Sequence, residues 1–156
     1  MLPTQVQTAP RAWIALLRAH AVTTRALSAQ LVADHGLTIN DYEALLRLAR
    51  AEERRMRRVD LAEALLLTAS GVTRLLDGLE SAGYVERATC ASDRRVVYAV
   101  LTEEGLEKLK EASDSHLSQV RELFEGRFEE PELTHLAELL GRLPGGDAGA
   151  DDSCTP

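Results

Sequence analysis

The sequence predicts a mainly α fold of the α+β class, a run of amphipathic helices interrupted once by a β-hairpin. Three observations carry the prediction. Apolar residues recur at three- and four-residue spacing through most of residues 10–143, the pattern of helices that bury one face. One stretch, residues 84–101, is instead alternating, β-branched and aromatic, which suits a pleated strand pair. Capping residues and glycines then punctuate the chain where helices should begin and end.

The first helix is expected over residues 10–34, with Pro10 in its first turn and Trp13, Leu16, Leu17, Leu27 and Leu31 on its apolar side. Gly36 closes it in a left-handed conformation. Asn40 is the expected N-cap of a second helix, with Asp41 at its positive end, running through Tyr42, Leu45, Leu46 and Leu48 to about Arg50. A charged connection, Glu52–Arg58, leads into a short strand near Arg57–Val59. Asp60 should cap a helix over Leu61–Leu66, and Thr68 a helix over Ala69–Ala82 that buries Val72, Leu75, Leu76 and Leu79. Gly83 ends it. Strands Tyr84–Thr89 and Val96–Leu101 flank a polar turn, Cys90-Ala91-Ser92-Asp93-Arg94. Thr102, with Glu103 and Glu104 behind it, starts a long helix that reaches about Gly126, striped by Leu106, Leu109, Leu117, Val120 and Phe124. Pro131 opens a last helix carrying Leu133, Leu136, Leu139, Leu140 and Leu143. Residues 1–9 are expected to be a flexible N-terminus and 144–156 a disordered acidic tail, because Gly and Asp dominate there and little apolar surface is available to bury. The region 10–143 reads as a single domain.

Composition excludes several functions. No apolar run approaches the roughly 20 residues a membrane span needs. No charged-then-apolar leader opens the chain, and the two cysteines, Cys90 and Cys154, suit a reducing compartment, so a cytoplasmic location is expected. A Gly-rich phosphate loop, a Gly-x-Ser-x-Gly elbow and a His-Glu-x-x-His pair are all absent, so no enzyme is expected. His20, His35, His116 and His135 are scattered, so neither a metal nor a cofactor is expected. The net charge of -7 argues against a nucleic-acid partner, yet the distribution of the charges points the other way. Residues 1–46 are balanced, and residues 96–156 hold 5 basic against 14 acidic groups. Residues 47–95 hold 10 basic against 8 acidic groups, with arginines at 54, 55, 57, 58, 94 and 95.

Two short helices followed at once by a hairpin make a winged helix-turn-helix, here spanning about residues 40–102. In such a unit the second helix fits the major groove of duplex DNA and the hairpin reaches the adjacent backbone or minor groove. The N-terminal part of that helix offers Ser70, Gly71, Thr73 and Arg74 as candidate DNA contacts. Arg74 can fork onto a guanine edge or a phosphate, and its competing use is an ion pair with Asp77 or Asp60. Gly71 weakens the helix by about 1 kcal/mol relative to Ala and permits a close backbone approach. At the hairpin tip Arg94 and Arg95 can enter a minor groove, with Asp93 as an internal acceptor that orients an arginine.

These residues resemble the MarR family of bacterial transcription regulators. The resemblance spans about residues 10–143 in element order. It is carried by Leu61-Ala62-Glu63, by Val72-Thr73-Arg74-Leu75-Leu76-Asp77-Gly78-Leu79-Glu80 with Gly83-Tyr84-Val85, and by Asp93-Arg94-Arg95 with Leu101-Thr102. It implies a homodimer built from the first and last helices (about 10–34 and 103–143), Thr73 and Arg74 at DNA-contacting positions, and insertion of Arg94 from the wing. Gly78 departs from the family, which often carries Arg or another long polar residue there; Gly71 replaces a common Thr or Ser. The helix stripes independently favour a dimer, since they hold more apolar surface than one small domain can cover.

The implied function is that of a sequence-specific regulator, a repressor on a pseudo-palindromic operator, released by a small phenolic or carboxylate effector. Candidate effector-lining residues are Trp13, Leu17 and His20 with Tyr42 and Leu46, and Arg11 or Arg18 to meet a carboxylate. The alternatives are a winged-helix dimer serving as a protein-interaction module, and a redox-responsive regulator using Cys90 beside Arg94 and Arg95.

Overall fold

The computed structural model describes residues 7–146, in the order helix, helix, strand, helix, helix, hairpin, helix, helix. Within the chain, contacts divide into two units that meet between Ala112 and Ser113, inside a continuous helix. The residues that form the main core all lie before that point, which is why the division falls there.

In the first unit α1 spans Thr8–His35, so Thr8 and Ala9, expected in a flexible segment, are helical. Gln7 stands at the N-cap and Pro10 falls in the first turn, where helix N–H groups lack intrahelical acceptors. Gly36 takes φ +69° and its N–H reaches the Val32 carbonyl, closing the helix. Helix α2 covers Ile39–Arg50. Its cap is Thr38 and not Asn40, because Thr38 and Asp41 close a reciprocal capping box: Asp41 N–H donates to Thr38 Oγ1 at 3.1 Å and Thr38 N–H donates to Asp41 Oδ2 at 2.8 Å.

A single 3-10 turn, Glu52–Arg54, leads into strand β1, Arg55–Arg57, two residues earlier than expected. Helix α3 then begins at Arg58 and ends at Ala64, with Arg57 at its N-cap position. Asp60 is therefore not the cap. It sits in the first turn and accepts both forks of Arg57, at 2.7 and 3.0 Å. After a tight turn at Leu65–Leu67, Thr68 caps α4, Ala69–Ser81, by accepting the Gly71 N–H at 3.0 Å. Strands β2, Val85–Thr89, and β3, Val97–Leu101, form the hairpin. The antiparallel sheet has the order β1-β3-β2, with Arg57 opposite Tyr98 and Arg87 opposite Ala99. Arg55 also lies 5.1 Å from the centre of the Tyr98 ring, a cation–π contact that ties β1 to β3.

The core gathers Leu31 from α1, Leu45 and Leu48 from α2, Leu61, Val72, Leu76 and Leu79 from α3 and α4, Val85 and Leu101 from the hairpin, and Leu109 from α5, Glu103–Glu125. Leu45, Leu48 and Leu61 are fully buried, each contributing roughly 1.5–3 kcal/mol of transfer free energy. Thr102 joins the hairpin to α5. Its hydroxyl donates to the Gly83 carbonyl at 2.7 Å and accepts the Gly105 N–H at 3.0 Å. Gly105 has no room for a side chain, since a Cβ would stand 2.1 Å from the Tyr84 carbonyl oxygen.

The second unit holds the C-terminal half of α5 and helix α6, Glu130–Gly141, which Glu129 and Glu132 cap reciprocally with Pro131 in the first turn. No residue of α6 is buried, and Phe128, Leu139, Leu140 and Leu143 are exposed. Pro144–Gly146 continue as a turn; the remainder of the expected tail lies outside the described residues. No helix among the described residues is long and apolar enough to cross a membrane.

Candidate nucleic-acid interface

Helix α4 turns Val72, Leu76 and Leu79 into the core, and this fixes what its opposite face presents: Ser70, Arg74, Asp77 and Gly78 are exposed. Arg74 has no ion-pair partner among the described residues. Both acids that compete for it are occupied: Asp60 by Arg57, and Asp77 by Arg87. Gly78 opens on empty space, so nothing in the fold requires glycine there. Gly71 has a local reason instead. A Cβ would approach Thr68 Oγ1 to 3.1 Å, crowding the hydroxyl that caps the helix. Ser70 Oγ lies 3.2 Å from the same hydroxyl.

Thr73 is only half exposed and borders a shallow groove over the sheet, beside Leu76, Val85 and Arg87. Its hydroxyl donates to the Ala69 carbonyl at 2.8 Å. The oxygen that remains is an acceptor, matched to an exocyclic amino group on a base edge and not to a phosphate.

At the wing, Val96 N–H donates to the Asp93 carbonyl at 3.1 Å, making a turn with Arg94 and Arg95 at its two central positions. The Asp93 carboxylate takes the Arg95 N–H at 3.0 Å and lies 3.4 Å from the Arg95 guanidinium. Within the turn Asp93 is an acceptor, and the arginine it contacts is Arg95. Arg94 makes no ion pair among the described residues. Cys90, where β2 ends, lies 3.1 Å from Ser92 Oγ, and the thiol is pushed below its ordinary range first by that hydrogen bond and then by backbone N–H groups of Ser92 and Asp93. The arginines expected to lower it take no part, and no second described cysteine is present.

The effector-lining set is not assembled. Tyr42 is 7% exposed, inside the core that Leu31 enters, whereas Trp13 is 60% exposed. Eighteen residues of α1 separate Trp13 from Leu31, about 27 Å at the helical rise. Leu17, His20, Arg11 and Arg18 are likewise on the exposed part of α1, while Leu46 packs with Tyr42 at the core.

One residue of the site escaped the sequence reading. Arg87, on β2, shares the face of the buried Val85 and spans to α4, where its Nε meets Glu80 Oε2 at 2.7 Å and its guanidinium also meets Asp77. A charge at an inward strand position, with two acids three residues apart on the preceding helix, was a usable signal.

A helix-turn-helix, a three-stranded wing, and two arginines without an ion-pair partner among the described residues, all on one unit, define a winged-helix protein. Known proteins agree with this and narrow it. A family model described as "MarR family" matches residues 35–96. The crystal structure of AbsC, a MarR family transcriptional regulator from Streptomyces coelicolor, is 35% identical, with 88% of this chain and 93% of that one covered and a TM-score of 0.77. Sco3205, a MarR family regulator of the same organism solved in complex with DNA, is 28% identical over 97% of this chain and 93% of its own, with a TM-score of 0.80. The HTH-type transcriptional regulator PecS of Dickeya dadantii is 37% identical over 53% of this chain, which spans about half (49%) of that protein's length. The chain belongs to the MarR family of transcription regulators.

Proposed function

We propose that this protein is a duplex DNA-binding transcription regulator that acts as a homodimer on a pseudo-palindromic operator, in the manner of a repressor. The observation that carries the reading is the charge arrangement of the winged unit: Arg74 on the outer face of α4 and Arg94 at the wing tip stand exposed, while the acids around them are engaged by Arg57, Arg87 and Arg95. Two cations at the ends of one reading head match a major-groove edge and a neighbouring backbone or minor groove. Ser70 and Thr73 would read or position from α4, with Gly71 supporting the cap and Arg95 reinforcing the wing.

Two-fold symmetry would supply the second head. Its support is the exposed apolar surface of α1 (Trp13, Ile14, Leu17) and of the C-terminal unit (Phe128, Leu139, Leu140), which a second copy would cover. A small phenolic or carboxylate effector that releases the operator belongs to the same reading, with Trp13, Leu17, His20 and Arg11 as the α1 residues it would meet.

Duplex binding measured against salt tests the proposal. The wild type should lose affinity steeply as salt rises, and Arg94→Ala should weaken binding and reduce the log–log slope by about one. A protein with no duplex affinity at low salt is instead an interaction module, and the reading fails.

A further inference from the structure

The acids on the reading head pose a problem that the fold resolves. Asp77 stands three residues after Arg74 on the same exposed face of α4, a spacing at which opposite charges pair. Glu80 lies a further three residues along. Left alone, these carboxylates would offer Arg74 a partner within its own helix and would set two negative charges toward any approaching phosphate. Neither is left alone. Arg87 reaches from β2 and engages both, its Nε at 2.7 Å from Glu80 Oε2 and its guanidinium on Asp77. The β2 backbone holds it in place, since Arg87 is registered opposite Ala99, which is buried in the core.

We infer that Arg87 is a positioning residue: by sequestering Asp77 and Glu80 from the wing strand, it keeps the Arg74 guanidinium available to DNA. The inference rests on the DNA-binding reading above. Arg87 touches no nucleic acid in this scheme. It acts through the two acids, so its importance depends on their presence.

A mutant cycle on duplex affinity tests this, using the full chain and a genomically selected operator duplex, with thermal melts confirming folding. Arg87→Gln should weaken binding about tenfold and lower the salt slope by about one, the signature of a lost Arg74 contact. Asp77→Asn with Glu80→Gln should change the wild type little, yet restore both affinity and slope when added to Arg87→Gln. Arg87→Lys, which keeps a cation beside the acids, should retain most of the affinity. If the triple variant binds as weakly as Arg87→Gln, Arg87 is itself a phosphate contact and the inference is overturned. It is equally overturned if neutralising the acids strengthens binding by the same factor in both backgrounds. A wild type without duplex affinity would sink the parent reading instead, so the two failures are distinguishable.

Discussion

Leu66 is held at φ +54° in the turn between α3 and α4, with 93% of its surface exposed. A left-handed conformation costs an L-residue roughly 1–2 kcal/mol, and here no packing of the side chain offsets that cost. The conformation persists because its neighbours impose it: Leu65 is buried and Leu67 packs against the core, so the chain must reverse between them. Leu66→Gly should raise stability by about 0.5–1 kcal/mol after allowing for glycine's greater unfolded-state freedom. Leu66→Ala should change it far less, and urea unfolding of the three proteins checks both. Nothing in the sequence announced this strain, since Leu66 reads as the last residue of a leucine-rich helix and its conformation is decided by residues on either side. Arg74, Arg94 and Asp93 were legible one by one, because an exposed basic side chain at a helix start or loop tip needs no tertiary context to be noticed. The partner of Asp93 and the inward turn of Thr73 did need it.

At the scale of elements, every helix and both hairpin strands follow from periodicity, while the ends were less legible. Thr38 displaced Asn40 as a cap because Thr38 and Asp41 close the reciprocal pair, while Glu43, equally spaced after Asn40, is engaged by Arg47; Asp60 lost its cap role to a nearby arginine. Such contests are settled by geometry that a one-dimensional pattern does not hold. Helix α5 carries a second consequence of burial. His116 is buried there, and burial holds its imidazole below the ordinary histidine value. The folded state therefore binds fewer protons than the unfolded chain as pH falls below about 6.5. Stability contributed by this group is intact above that pH and declines as acid protonates the unfolded state. The urea midpoint should be steady from about pH 8 to pH 7 and lower near pH 5.5, with the decline shallower in His116→Gln.

For the whole molecule, the apolar surface left on α1 and on the C-terminal unit has its own expected outcome. Leu17→Glu places a charge in the surface proposed for the second copy, at a site half exposed in the single chain, so the fold should tolerate it. Sedimentation should show the wild type as a dimer and the variant shifted toward monomer, with operator affinity falling alongside because two linked heads bind far better than one. A wild type that sediments as a monomer would remove the dimer from the proposal. The excess of apolar stripes was legible from sequence; which residues stay exposed was not, because that depends on which stripes the core absorbs first. The sheet order has a further bearing on how the protein survives in a crowded solution. Val96–Leu101, Val-Val-Tyr-Ala-Val-Leu, is the longest uncharged β-prone run among the described residues, the kind of hexapeptide that stacks into fibrils when bare. Folding places β3 in the centre of the sheet, and the two strands that border it, Arg-Met-Arg and Val-Glu-Arg-Ala-Thr, present charged edges to the outside. The wing is thereby also the chain's guard against self-assembly, and the first opening of its hairpin on heating is the event that lifts that guard.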